Sequence, residues 1–208
     1  PPQLGNLAGR PFRVSESVNI DKKRAIARAA VDLCDPGDAI IINGGTTTFQ
    51  MVHFMSGHRM QVMTNSFAIA EHLVKHSKNT VTVPGGVIYR EQSLILSPFD
   101  NDAIRHFYAR RFFFGAQGVG PHGIMEADAQ IIQSEQKLMH QADVVMVDSS
   151  KFRRRSSLIL CPLERVSTII TDDGIPEEAV RMIEDAGIKL VIASAAAQAA
   201  REDSSSVA

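Results

Sequence analysis

Tryptophan is absent from the 208 residues, and cysteine occurs only twice. Cys34 and Cys161 sit in apolar surroundings without metal-ligand spacing, which excludes a disulfide framework and a thiolate metal centre. They are expected to be reduced core thiols, as in a cytoplasmic protein. Neither sign of charge is in excess: 22 Lys and Arg stand against 23 Asp and Glu, a formal net charge of -1. The chain therefore lacks the basic footprint of a nucleic-acid-binding domain. No apolar run approaches the ~18 residues of a membrane span, so no membrane partner is expected. No secretory leader is visible at the start. The seven histidines show no metal spacing, so no metal or other cofactor is expected.

What is present is an alternation of strand and helix patterns in a chain long enough for one large domain. Strands are expected over Ala39–Ile42, Gln61–Thr64, Thr80–Val83, 112–116, 144–150, Val166–Thr171 and Lys189–Ile192. Helices are expected over Ile20–Cys34, Thr47–Ser56, after the capping residues Asn65 and Ser66, near Asp100–Arg110, over Asp128–Ala142 and over Pro176–Ala186. Continuously apolar strands such as "AIII" fit burial on both faces. The fold class is α/β, a mostly parallel sheet covered by helices. Residues 1–18, polar and interrupted by Gly and Pro, read as a linker. Residues 19–193 form the domain. Residues 194–208, nearly free of large apolar side chains, read as a loose tail.

In an open parallel sheet, ligands bind beyond the carboxyl ends of the strands. Four such ends carry chemistry. In "NGGTTT" (43–48), Gly44 and Gly45 let backbone approach a ligand and adopt positive φ. Thr46, Thr47 and Thr48 add hydroxyls at a helix start, where free N–H groups favour an anion. Neither nucleotide fingerprint, G-x-G-x-x-G or G-x-x-x-x-G-K-[ST], is read in the chain, so a phosphate monoester suits the loop better than a dinucleotide. The same letters would also serve an ordinary tight turn. "TNS" (Thr64, Asn65, Ser66) reads by itself as helix capping, and "PGG" ending at Gly86 as turn punctuation. "DSSK" places Lys151 as a point charge at a strand end. The three arginines that follow at 153–155 read as a solvated basic turn. Glu135 falls on the apolar stripe of its helix, with Ile131, Leu138 and Ala142 at i−4, i+3 and i+7. Either it is buried and needs a partner, or it reaches water from the stripe edge.

Together "NGGTTT", "TNS", "PGG", "FFFGAQGVGPHG", "SEQKLM", "VDSSKF" and "IITDDG" resemble, in order and spacing, the effector-binding domain of DeoR-type bacterial transcriptional repressors. "NIDKKRAIARAA" resembles the segment that leads into it, and the likeness covers residues 12–193. The resemblance implies a fold like ribose-5-phosphate isomerase and a phosphorylated sugar or sugar derivative as effector. It also implies operator DNA as a partner, reached through a helix-turn-helix domain that is not readable in this chain. Carried over by motif, Gly45 and Thr46–Thr48 would hold the phosphate and Asn65 and its neighbours would line the sugar; Asn43, Gly44, Thr64, Ser66 and Gly86 are expected among the ligand-binding residues. Lys151 matches the lysine of the isomerase "DGSK" segment, and Glu135 lies near its catalytic glutamate. The family commonly has "GADG" where this chain has "GAQG". Gln117 can hydrogen-bond a hydroxyl but cannot shuttle a proton, which favours binding without turnover. The runs "SLILSP" and "SEQK" lean toward members that sense ascorbate phosphate. A sugar-phosphate isomerase and a free-standing oligomerisation module remain the alternatives. Homo-oligomerisation is expected, with Phe12, Phe54 and Phe107 as exposed apolar contacts.

Overall fold

The computed structural model describes residues 11–98, 103–139 and 143–205. After a short helix α1 (Phe12–Glu16) come α2 (Ile20–Val31), β1 (Ala39–Ile42) and α3 (Thr46–Phe49), the last continued by a 3₁₀ turn over Gln50–Phe54. Then follow β2 (Gln61–Thr64), α4 (Phe67–His76), β3 (Thr80–Thr82) and a hairpin of β4 (Val87–Tyr89) and β5 (Leu94–Leu96). The chain continues through β6 (Arg111–Phe114), β7 (Gly118–Gly120), β8 (Gly123–Glu126), α5 (Ala129–Leu138) and β9 (Asp143–Met146). A 3₁₀ turn over Ser149–Arg153 leads to β10 (Leu158–Cys161), β11 (Thr168–Asp172), α6 (Glu177–Asp185), β12 (Lys189–Ala193) and α7 (Ala195–Ser205).

Seven strands form one sheet in the order β12-β11-β9-β6-β1-β2-β3, and all its pairings are parallel. This is the expected α/β architecture. Side chains alternate across a strand, so "AIII" serves both faces. Ile40 and Ile42 pack with Val62, Phe113, Val144 and Ile170 beneath Ile26, Ala30, Met51, Ile69 and Leu73. Ile41 packs on the other side with Met63, Phe112, Phe114, Val145 and Ile169, against Leu138, Ile183 and Leu160. Burying one leucine-sized side chain is worth about 1.5–3 kcal/mol, and both faces of the sheet are paved this way. The remaining strands form the β4–β5 pair and a three-stranded antiparallel sheet, β10-β8-β7.

Several expectations need correction. The strand expected over 112–116 ends at Phe114, and that over 144–150 ends at Met146, where Asp148 takes over as cap of the 3₁₀ turn by accepting from Ser150 N. The helix expected near Asp100–Arg110 reduces to a 3₁₀ turn over Ala103–His106, residues 100–102 lying outside the described part. Residues 140–142, expected to end the helix over Asp128–Ala142, also lie outside it. The expected tail is helical from Ala195 to Ser205, with Gln198 buried; its alanines favour that conformation. Positions 206–208 are outside the described residues, as are positions 1–10 of the expected linker. The linker's next residues are α1. Phe12 is buried against Phe49, the Phe54 ring lies under Arg24 and Arg28, and Phe107 is half-buried, so none of the three is a free apolar contact. Farther along, Gly118, Gly120 and Gly123 do spell G-x-G-x-x-G, but they form the β7–β8 hairpin and open no helix, so this is not a dinucleotide turn.

Candidate functional site

The strand order reverses between β1 and β6, which are direct neighbours: β2 and β3 extend the sheet to one side, β9, β11 and β12 to the other. Beyond the carboxyl ends of such a pair the connections diverge and leave a crevice. Here that crevice is a cavity of about 460 Å³, within the range of small-molecule pockets. The ends of β1 (Gly44, Gly45) and β6 (Gly115–Gln117) both line it.

One wall is the loop after β1. Gly44, Gly45, Thr46 and Thr47 line the cavity. Neither glycine is in the left-handed region; Gly45 is extended at φ 167°. The conformational reason expected for them is therefore replaced by one of space. A Cβ on Gly44 would come within 2.0 Å of Leu94 Cδ2, so the glycine lets β5 close over the loop. The neighbours brace it. Asn65 Oδ1 accepts from Gly44 N at 2.8 Å, and Thr48 Oγ1 donates to the Asn43 carbonyl at 2.7 Å.

The cations come from elsewhere. Lys151 lines the cavity from the turn after β9, joined by Arg154 and Arg155 of the run expected to be solvated, and by Lys23 from α2. The turn is anchored from beneath. Asp172, wholly buried, accepts from Ser149 N at 2.6 Å, Ser149 Oγ at 2.8 Å and Gly174 N at 3.0 Å, and pairs with Lys22 at 2.9 Å. Those donors hold its carboxyl below its ordinary range despite burial. Burial lowers the Lys23 ammonium to about 8; Asp148 opposes the shift, and Lys151 and Arg154 add to it.

Two acidic side chains line the same cavity. Glu135 is buried, as its place on the stripe of α5 allowed, and its partner is the Asn43 side-chain amide, which donates to Oε1. Oε2 of Glu135 and Oδ1 of Asn43 have no hydrogen-bond partner among the described residues. Glu126, at the end of β8, is also buried and lines the same cavity. Burial pushes the Glu126 carboxyl up to about 7, with Lys151 pulling the other way. Glu135 is raised well above its ordinary value, first by burial and then by the charge of Glu126. Burial and the charge of its neighbour both favour the protonated form, so the two carboxyls ionise less readily than in water. Gln117 lines the cavity, its backbone N–H donating to the Met125 carbonyl at 2.9 Å.

Of the expected residues, Gly44, Gly45, Thr46, Thr47, Gln117, Glu135 and Lys151 share this cavity. Asn43, Thr48 and Asn65 stand behind its walls. Thr64 Oγ1 accepts from Ser66 N, and Ser66 Oγ caps α4 by accepting from Ile69 N; neither lines the cavity. Gly86 does not line it either: a Cβ there would meet the Leu96 carbonyl oxygen at 2.1 Å, so its work is hairpin packing. Lys23, Asn19 and Glu126 were not anticipated, and Arg154 lines the cavity although its run reads better as a solvated turn. Glu126 left a signal, a carboxylate ending the apolar run "GIME". Lys23 left none.

A parallel α/β sheet with a polar cavity at the switch point of its carboxyl edge defines a domain that receives a small polar molecule. The family model of the DeoR C terminal sensor domain matches residues 18–173, and the chain belongs to that family: it is the ligand-sensing domain of a transcriptional repressor. Among its relatives are the HTH-type transcriptional regulators UlaR of Shigella dysenteriae serotype 1 and of Escherichia coli strain K12. Each is 29% identical over 184 residues, covering 87% of this chain and 72% of the relative. Among solved structures, ribose 5-phosphate isomerase A from Methanocaldococcus jannaschii has a TM-score of 0.48 at 17% identity, over 64% of this chain and 54% of that one. The tetrameric eIF2B-beta2-delta2 complex from C. thermophilum has a TM-score of 0.49 at 15% identity, over 76% and 55%. The chain thus spans about half the length of these two structures. Likenesses this remote leave ligand and activity open. Among the described residues no helix is long and apolar enough to cross a membrane.

Proposed function

We propose that the cavity binds a phosphorylated sugar or sugar derivative, and that its occupancy controls operator binding by an upstream helix-turn-helix domain. One observation carries this reading: the cavity gathers both kinds of group such a ligand needs. Lys23, Lys151, Arg154 and the backbone of the Gly44–Thr47 loop supply cations and N–H groups, and Gln117, Glu126 and Glu135 supply hydrogen-bonding side chains, the two carboxyls raised by burial toward their neutral form. A phosphate monoester carries about −1.5 to −2 charges and suits the first set; sugar hydroxyls suit the second. The relatives are HTH-type transcriptional regulators, which supports the helix-turn-helix part. Calorimetry with matched pairs of sugars, phosphorylated and not, tests the reading. Tight binding of the phosphorylated member alone is expected, and equal binding of both would refute it.

A second reading has its own observation. Burial raises Glu126 to about 7 and Glu135 well above its ordinary value, and raised carboxyls of this kind are what a proton-transferring enzyme requires. Gln117, in the place of the family's aspartate, argues against turnover. Incubation of pentose and hexose phosphates with the domain should leave them unchanged; an isomerised product would favour the enzyme.

The proposed unit is a homo-oligomer in the cytoplasm, a compartment that suits two buried free thiols. Its contact surface is proposed to include the exposed Phe67, Val87 and Ile88 of α4 and β4. Light scattering on the domain is expected to give a dimer or larger.

A further inference from the structure

Lys23 and the residues before it do not behave as a linker and a surface helix. Phe12, Ser15, Val18 and Asn19 form part of the cavity wall. Four contacts hold this segment down. The Phe12 ring meets Phe49 of α3 edge-on at 5.5 Å, and its amide donates to the Glu91 carbonyl at 2.8 Å. Asn19 adopts the left-handed conformation, φ 56°, which asparagine tolerates, and its side chain donates to Asp148 Oδ1 at 3.3 Å. Lys23 Nζ donates to the Ser15 carbonyl at 2.6 Å. Lys23 is only 4% exposed, because the segment covers it.

An ammonium has three N–H donors, and Ser15 takes one. The cavity that Lys23 lines also holds Lys151 and Arg154, whose like charges weigh against it. A bound anion would relieve that repulsion and accept a second N–H from Lys23 without displacing the first. We propose that Lys23 is an anion-binding residue of the cavity and that it couples occupancy to the docking of α1: the ligand's phosphate is held by Lys23 while Lys23 holds Ser15, so binding clamps Phe12–Asn19 onto the domain. This rests on the reading of the cavity as a site for a phosphorylated ligand. In a C-terminal sensor domain the chain arrives through α1, so the clamp acts on the one segment an upstream domain is tethered to. Coupling is reciprocal, and whatever frees α1 weakens the anion.

Hydrogen exchange on the full chain tests this, with inorganic phosphate as probe against potassium chloride at matched ionic strength, and phosphate binding measured separately by calorimetry. The informative amides are Val14, Ser15, Val18 and Lys23, which bond to Pro11, Ser15 and Asn19 carbonyls. In the wild type their exchange is expected to slow several-fold at saturating phosphate. Lys23→Met should bind phosphate roughly tenfold or more weakly, the loss of one charge-assisted hydrogen bond, and show no slowing. Arg153→Met, outside the cavity, should keep both. Phosphate that binds the wild type without slowing α1 overturns the coupling and leaves the anion site standing, whether or not Lys23→Met folds. Wild-type affinity in Lys23→Met overturns the role of Lys23. If phosphate does not bind the wild type at all, the reading of the cavity falls, and this proposal with it.

Discussion

Replacing Glu126 with glutamine removes one ionisable group from the cavity and keeps its shape. Burial raises this carboxyl from an ordinary value of 4.5 to about 7 in the folded protein. Between those values the folded state holds a proton that the unfolded chain has released, so stability falls as pH rises. The contribution is fully present below about pH 4.5 and is lost as pH passes about 7. At 1.36 kcal/mol for each pH unit, the loss is about 3 kcal/mol, a large fraction of the ~5–15 kcal/mol that holds a typical domain folded. Glu135 moves the same way, partly because the charge of Glu126 presses on it, so the glutamine also eases Glu135. Asp143, raised to about 6 by burial, adds a slope common to both proteins. Urea unfolding of wild type and Glu126→Gln at a series of pH values between 4.5 and 8 is the assay. The two curves should diverge with pH, and the variant should be the more stable protein at pH 8. Parallel curves would show that Glu126 ionises in the folded state as freely as in water, and the account of a proton-holding pair would fail.

Gly45→Asp should fold, since a Cβ there meets only Thr48 Oγ1, at 3.2 Å; calorimetry should show that its phosphate binding is lost through repulsion. Lys151→Ala should weaken the phosphorylated ligand by about 1.5–3 kcal/mol, the value of a hydrogen bond to a charged group, and leave the unphosphorylated sugar unaffected. Asp172→Asn should lower stability by on the order of 2 kcal/mol in thermal or urea unfolding, because one amide oxygen replaces a carboxylate that serves Ser149, Gly174 and Lys22. Unchanged stability there would remove the anchor assigned to the Lys151 turn.

The central strands were legible because they are buried on both faces. "AIII" and "QVMT" are bounded by turn residues, and β1 and β2 occupy those letters. β4 and β5 were not: three residues each, the first largely exposed, their turn held by Ser93 at φ 54° without an Asn-Gly signal. β7, β8 and β10 were hidden for a similar reason, since "GVG" has no side-chain pattern. In the site, the period of α5 put Glu135 on the apolar stripe and left its burial open, and its partner Asn43, 92 residues away in the chain, was not legible. Lys23 was invisible because its burial depends on α1 folding over it. Thr64, Ser66 and Gly86 misled by position: they stand at the right edge of the sheet and spend their polar or steric character on local structure.

The cavity draws its lining from stretches as far apart as 12–23, 44–47, 92–94, 115–117, 126–135 and 148–156. No stretch of the unfolded chain can reproduce that arrangement, so a ligand has nothing to bind once the domain opens. Mass action then makes the true effector a stabiliser in proportion to its concentration: about 2.7 kcal/mol at a hundred times its Kd, and about 4.1 kcal/mol at a thousand times. A melting curve therefore ranks sugar phosphates by affinity without a label, an operator or a promoter.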